Sequence, residues 1–234
     1  MTPKPLLTIF DCDGVLIDSE ILASKAFKIA MQVKHGINIS LQEIIERYVG
    51  KSEASTNEDL QNRYGITLSP YYSDYEDQIR IDLFESELEA IPDVVELVMS
   101  VEGKKCVASS SSPQRLRHSL GLVGLWDIFS PHIFSAAQVK NGKPAPDLFL
   151  FAVQQMGVDP ADCLVIEDSV AGVRAAVAAG MKVYGFVGGS HCGPDHAALL
   201  RQNGATEIFT VMVDLAKALG VPIKQETVNI RLRK

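Results

Sequence analysis

Six short apolar runs recur along this chain, and each is apolar at successive rather than alternate positions. They are Leu6–Phe10, Lys105–Ser109, His132–Ser135, Cys163–Ile166, Val183–Val187 and Ile208–Val211. Strands covered on both faces, as in a parallel sheet, read this way. Helical segments with stop signals lie between most of them: Pro113–Leu120 before Gly121, Pro146–Met156 before Gly157, and Ser169–Ala179 before Gly180. Strand and helix in alternation predict an α/β domain wound on a parallel sheet.

One interval breaks this rhythm. More than ninety residues separate Phe10 from Lys105, far more than a crossover helix and its loops need. The interval reads as helices over Ile21–Lys34, Leu41–Val49, Asn57–Tyr64 and Pro70–Glu87, with no strand alternation. It predicts a small helical domain over 16–90, inserted at the carboxyl end of the first strand, and a core made of 1–15 and 91–234. Ligands bind at that end of open parallel sheets, so the insert would cover the site as a lid. The Lys- and Arg-rich stretch from Val221 to Lys234 reads as a solvated tail.

Composition narrows the function classes. With 234 residues, 47% of them hydrophobic, the chain suits one large domain, or one and a half. Lys and Arg number 22 against 29 Asp and Glu, a net charge of −7, which argues against a nucleic-acid partner. No apolar run approaches the roughly 20 residues of a membrane-spanning helix. Met1–Pro5 leads straight into Leu6–Phe10 with no signal-peptide pattern. Cys12, Cys106, Cys163 and Cys192 have no paired spacing and read as reduced thiols, so a cytoplasmic location is expected.

The chemistry concentrates where strands end. Asp11 and Asp13 follow the first apolar run, on one side of an extended chain with Cys12 opposite, and Gly14 allows a sharp turn. Glu167 and Asp168 close the fourth run, and Ser169 begins an Ala-rich helix. The second run ends in Ser109–Ser112, where hydroxyls and a helix N-terminus offer donors to an anion. Lys143 lies in Asn141–Pro146, a loop before a helix. Each feature alone has a plain structural explanation, as a helix cap or a solvated charge; together they do not. Three carboxylates beside a phosphate dianion repel by about 4 kcal/mol per pair at 4 Å and an effective dielectric near 20. A single Lys cannot offset that, whereas a hard divalent cation can, and Mg²⁺ is the usual choice beside phosphate.

The segment Asp11-x-Asp13-Gly14-Val15-Leu16-x-Asp18-Ser19, followed in order by Ser110, Lys143 and Glu167-Asp168, resembles the haloacid dehalogenase (HAD) superfamily of phosphohydrolases. More narrowly, it resembles the branch of β-phosphoglucomutase and the small sugar-phosphate phosphatases. The resemblance implies a Rossmann-like core with a helical cap inserted after the first motif. It also implies roles. Asp11 would be the nucleophile that forms an aspartyl-phosphate, and Asp13 the general acid and then base. The Asp11 and Asp168 carboxylates and the Asp13 carbonyl would hold Mg²⁺, with Glu167 acting directly or through water. Ser110 would bind the phosphoryl group, helped by the main chain near Ser111, and Lys143 would neutralise its oxygens.

Asp13 argues for phosphoryl transfer over dehalogenation, because a halide leaving group needs no proton. The implied activity is a phosphatase acting on a small phosphorylated metabolite, a sugar phosphate or a phospho-sugar acid. The alternative is a phosphosugar mutase, but Pro113-Gln114 stands where mutases carry a Lys-Asn pair. A phospho-Asp signalling module explains neither Asp13 nor the insert. In the cap, Arg47, Lys51 and Ser52 are candidates for substrate contact; Gly50-Lys51-Ser52 lacks the preceding glycine and strand of a phosphate loop. Gly185-x-x-Gly188-Gly189-Ser190 lacks the dinucleotide pattern. His191, Cys192, Asp195 and His196 crowd together, yet a neighbouring His and Cys rarely converge on one ion, which argues against zinc. Monomer and small homo-oligomer stay open.

Overall fold

β1 (Leu7–Phe10) is buried along its whole length, and its side chains divide between two faces. Leu7 and Ile9 enter one hydrophobic cluster and Phe10 the other, the period-two division of a strand with helices on both sides. The structure, a computed structural model, describes residues 4–50 and 53–222.

After β1 the chain leaves for four helices: α1 (Glu20–His35), α2 (Leu41–Tyr48), α3 (Glu53–Tyr64) and α4 (Pro70–Glu87). Ser40 and Ser69 cap α2 and α4 by accepting from the main-chain N–H groups of Glu43 and Tyr72. Gly36, at φ 67°, ends α1 in the left-handed conformation. These helices share a hydrophobic cluster of their own, built on Phe27, Met31, Ile39, Ile44, Leu60 and Tyr72. The chain returns beside its point of departure. Ile17 pairs with Ala90 in an antiparallel bridge, Asp18 N–H donates to Glu89 O at 3.0 Å, and Ile91 N–H donates to Leu16 O at 3.0 Å.

The remaining strands are β2 (Lys104–Ser109), β3 (Ile133–Ser135), β4 (Cys163–Glu167), β5 (Lys182–Phe186) and β6 (Glu207–Phe209). They form one parallel sheet in the order β3-β2-β1-β4-β5-β6. The winding therefore reverses at β1, whose Phe10 pairs with Val107 on one side and Ile166 on the other. Sheets of this kind hold ligands at the carboxyl ends of the strands where the winding reverses, here those of β1, β2 and β4.

Helices cover both faces. α5 (Val94–Ser100), α6 (Pro113–Leu122), α7 (Trp126–Phe129) and α11 (Met212–Leu219) pack on the Phe10 side, while α8 (Asp147–Met156), α9 (Val170–Ala178) and α10 (His196–Gln202) pack on the other. All six expected strands are present, and α3 begins four residues earlier than expected. α5, α7, α10 and α11 were not anticipated; at four to eight residues they are too short for helical periodicity to emerge. The expected tail begins too early, because Val221 is buried in the Phe10-side core and its N–H donates to Ala216 O. The rest of that stretch, from 223 on, lies outside the described residues.

Candidate active site

Asp11 follows β1 directly, and its N–H donates to Ile166 O at 3.0 Å, one step past the last strand pair. The chain then turns tightly: the Cys12 carbonyl accepts from Leu16 N–H at 2.8 Å, and Gly14 N–H donates to Ile17 O at 2.9 Å. Cys12 is driven into the core, while Asp11 and Asp13 reach different partners. Gly14 has φ 75°, and a Cβ there would collide with the Asp168 carboxylate and approach His191 Cε1 at 2.9 Å. Only glycine satisfies both demands.

Asp11 belongs to a buried ionic cluster. Lys143 Nζ stands 3.0 Å from Asp11 Oδ1 and 2.5 Å from Glu167 Oε1, with only 3% of the Lys side chain exposed. Carboxylate oxygens of Asp11, Glu167 and Asp168 lie within 4.8 Å of one another. Asp11 Oδ1 is buried and accepts no hydrogen bond, despite its closeness to Lys143. Burial, then repulsion from Glu167, raises the Asp11 carboxyl well above the usual carboxylate range, and the same causes raise Asp168. Burial also works against the charge on Lys143, but Asp11 and Glu167 overcome it and raise its pKa.

Glu167 has both oxygens engaged. Oε1 accepts from Lys143, and Oε2 accepts from Ser169 N–H at 2.8 Å and Ser169 Oγ at 3.0 Å. Ser169 in turn caps α9 by accepting from Gly172 N–H at 3.0 Å. A Cβ on Gly172 would overlap the Glu167 carboxylate, so this glycine is what lets the side chain lie across the start of α9.

Asp13 is held by hydroxyls instead. Its Oδ1 accepts from Ser19 Oγ at 2.6 Å; its Oδ2 accepts from Ser111 Oγ at 2.8 Å and Ser109 Oγ at 3.4 Å. The serine run thus divides by alternation. Ser109 and Ser111 are buried and face Asp13, Ser112 caps α6, and Ser110 is exposed and makes no hydrogen bond among the described residues. The hydroxyls that reach Asp13 are thus those of Ser111, named from the sequence beside Ser110, and of Ser109, which was not. Ser135 Oγ buttresses the run by donating to Ser111 O at 2.6 Å.

Of the cap candidates, Arg47 is not brought to this cluster. Arg47 pairs with Glu43 at 3.3 Å and Asp59 at 3.8 Å within the four-helix segment, and Lys51 and Ser52 lie outside the described residues. Instead a cavity of about 350 Å³ opens between α4 and α6, lined by Asp77, Arg80, Phe84, Gln114, Arg115 and His118 among others. Arg80 is mostly buried, pairs with Glu76 and Asp77, and leaves its Nε without an acceptor. Glu20 lies near enough to feel charges from both sides. Burial, then the charges of Asp13 and Asp168, pushes its carboxyl up to about 7, while His191 and Arg80 pull it down. Sequence reasoning passed over Glu20 because it looks like an ordinary acid in the first turn of a helix. Arg80 gave no signal at all within an amphipathic segment.

The chain is similar to several known proteins. The profile of haloacid dehalogenase-like hydrolases matches residues 7–180. The chain is 31% identical over 186 residues to the 6-phosphogluconate phosphatase of Escherichia coli K12, covering 79% of this chain and 84% of that one. A solved haloacid dehalogenase-like protein from Agrobacterium tumefaciens superposes with a TM-score of 0.83 at 37% identity, over 92% of this chain and 97% of that one. A HAD family hydrolase from Deinococcus radiodurans R1, solved with bound phosphate and sodium, superposes with a TM-score of 0.79 at 30% identity, over 93% and 96%.

Proposed function

This chain belongs to the haloacid dehalogenase-like hydrolases and is a phosphoric monoester hydrolase, and we propose that it cleaves a small phosphorylated metabolite, a sugar phosphate or a phospho-sugar acid, through an aspartyl-phosphate on Asp11 with Mg²⁺ as cofactor. The observation that carries this reading is the unequal holding of the two aspartates. Asp11 sits against an ammonium in a buried cluster, as a nucleophile aimed at a phosphoryl group requires. Among the described residues the Asp13 carboxylate is hydrogen-bonded only to hydroxyls, as befits a group that must give up and take back a proton.

The residues fit a hard divalent ion. Three buried carboxylates lie within 4.8 Å of one another, and one of them has an oxygen that accepts no hydrogen bond. Such an all-oxygen donor set suits Mg²⁺ better than a softer metal. Asp11, Asp168 and the Asp13 carbonyl would hold it, with Glu167 directly or through water. When bound, such an ion supplies the positive charge that lets carboxylates and a phosphate dianion share one site.

The chain's own residues account for the steps. An Asp11 carboxylate oxygen attacks phosphorus as the bond to the leaving oxygen breaks, and Asp13 protonates that oxygen. Asp13 then accepts a proton from the water that attacks the aspartyl-phosphate, which frees Asp11 and inorganic phosphate. Lys143 and the hydroxyls of Ser109 and Ser111 meet the phosphoryl oxygens, where most stabilisation of phosphoryl transfer is gained. Residues 16–90 serve as the cap on a core of 1–15 and 91–234, and the cavity between α4 and α6 receives the rest of the substrate. Among the described residues no helix is long and apolar enough to cross a membrane. The four cysteines are free, which suits the reducing cytoplasm.

A phosphate-release screen over sugar phosphates and phospho-sugar acids, with and without Mg²⁺, tests the reading. Asp11→Asn should abolish release from every substrate. Asp13→Asn should cut turnover by about 10²–10⁴-fold while stabilisation by Mg²⁺ persists, since its proposed ligand is a main-chain carbonyl. Retained turnover in Asp11→Asn would remove it as nucleophile. β-Glucose 1-phosphate with a bisphosphate primer, included in the same screen, reports any mutase activity.

A further inference from the structure

The loop after β5 gathers a second set of ligand atoms beside the first. One ring nitrogen of His191, one of His196 and the Cys192 sulfur lie within 4.8 Å of one another. Neighbouring residues rarely converge in this way, and the loop shows how these do. Cys192 N–H donates to Gly189 O at 3.0 Å, which closes a tight turn, and Asp18 Oδ1 accepts from both Ser190 N–H at 3.0 Å and Ser190 Oγ at 2.9 Å. His196, at the start of α10, completes the group, and its Nε2 meets the Asp168 carbonyl oxygen at 2.5 Å.

Two of the spacings match the edges of a tetrahedral centre. Zinc bonds of about 2.0–2.1 Å to nitrogen, 2.3 Å to sulfur and 2.0–2.2 Å to oxygen give N···S and N···O edges of about 3.5 and 3.4 Å. His191 Nε2 is already 3.4 Å from Cys192 Sγ and 3.1 Å from Asp168 Oδ2. Cys192 and His196 are half-buried, so an ion has a way in from solvent, while His191 anchors the floor at 3% side-chain exposure. The donors also differ in kind from the neighbouring cluster: sulfur and imidazole here, carboxylates there. The sulfur and imidazole set selects zinc-like ions and the carboxylate set hard ones.

We propose that His191, Cys192 and His196 form a site for a borderline-soft divalent ion such as Zn²⁺, with the Asp168 carboxylate as fourth ligand, the thiol proton being released to solvent. Because Asp168 also belongs to the cluster assigned to Mg²⁺, filling this site withdraws it and inhibits the enzyme; that second statement rests on the function proposed above.

Cobalt titration of the metal-stripped full chain, in excess Mg²⁺, tests the site without reference to catalysis. One equivalent of Co²⁺ should produce a thiolate-to-cobalt charge-transfer band, and Zn²⁺ should displace it. Cys192→Ser should lose the band and weaken Co²⁺ binding by about tenfold or more. Absence of the band, or equal Co²⁺ affinity in Cys192→Ser, overturns the site. In a second arm, Zn²⁺ should inhibit Mg²⁺-supported hydrolysis of p-nitrophenyl phosphate reversibly, and Cys192→Ser, with its uninhibited rate unchanged, should be correspondingly less sensitive. Undiminished inhibition of Cys192→Ser would place the ion at the carboxylate cluster and overturn the coupling. If no phosphate is released under any condition, the proposed function fails while the cobalt titration still decides the site.

Discussion

Asp11→Asn should abolish turnover and, without metal, make the protein more stable. The carboxylate oxygens of Asp11, Glu167 and Asp168 lie within 4.8 Å of one another, so Asp11 takes part in two repulsive pairs, each costing at least about 3.5 kcal/mol at an effective dielectric near 20. Lys143, at 3.0 Å, returns about 5.5 kcal/mol on the same scale. The balance is unfavourable by about 1–2 kcal/mol, and desolvation adds in the same direction. An isosteric amide removes it, for an expected rise in melting temperature of about 2–8 °C in a chain of this size. The effect has a definite pH sign. Burial and Glu167 raise the Asp11 carboxyl, so the native state binds more protons than the unfolded one and loses stability as pH rises through that raised value. The advantage of Asp11→Asn therefore grows as pH rises and disappears as pH falls toward about 4, where the aspartate is protonated in both states. Excess Mg²⁺ should reverse the order, since the parent gains about 2.7 kcal/mol at a hundredfold excess over its dissociation constant and the variant has lost a ligand. Thermal and urea unfolding of both proteins, in chelator and in Mg²⁺ across this pH range, provide the measurement. An Asp11→Asn protein less stable than its parent in chelator at neutral pH would refute the electrostatic reasoning.

Three further outcomes follow from the same geometry. Lys143→Met should move stability the opposite way, destabilising the metal-free protein by about 3–5 kcal/mol because it leaves buried carboxylates unpaired, and should lower turnover about 10²–10³-fold, measured by unfolding and steady-state kinetics. Ser109→Ala and Ser111→Ala should each slow phosphate release, whereas Ser110→Ala should leave it within about twofold of the parent, since truncating an exposed side chain is near neutral; slow release in Ser110→Ala with normal rates in its neighbours would reverse the assignment. Glu20, whose carboxyl is pushed up to about 7, makes metal-free stability fall as pH rises through that value, and Glu20→Gln should flatten this part of the unfolding profile.

Much of the molecule was legible in the sequence, for reasons tied to particular residues. β1 and β4 are buried on both faces, so their apolar runs were unbroken, and the acids that follow stood out against them. Gly14 marked a turn that no side chain tolerates. The choice among Ser109, Ser110 and Ser111 was not legible, because four identical residues carry no register; alternation turns Ser109 and Ser111 toward Asp13 and leaves Ser110 exposed. Glu20 and Arg80 were hidden for another reason. Their environment is made by residues far away in the chain, and no local pattern records that Asp13, Asp168 and Arg80 meet around a helix's first turn. α5 and α11 escaped because seven or eight residues span barely two turns.

The single rung that joins Ile17 to Ala90 has a consequence for how such a chain can diversify. Where the strand leaves the sheet and where it returns are adjacent, so to the rest of the fold the entire four-helix segment is equivalent to a short hairpin. The entropy of closing that connection changes only slowly with what lies between its ends. Whole helices can be lengthened, replaced or lost there without shifting the strand register that aligns Phe10 with Val107 and Ile166. On the function proposed above, substrate preference can thus drift by exchange of one module, while the aspartates at the end of β1 stay in place.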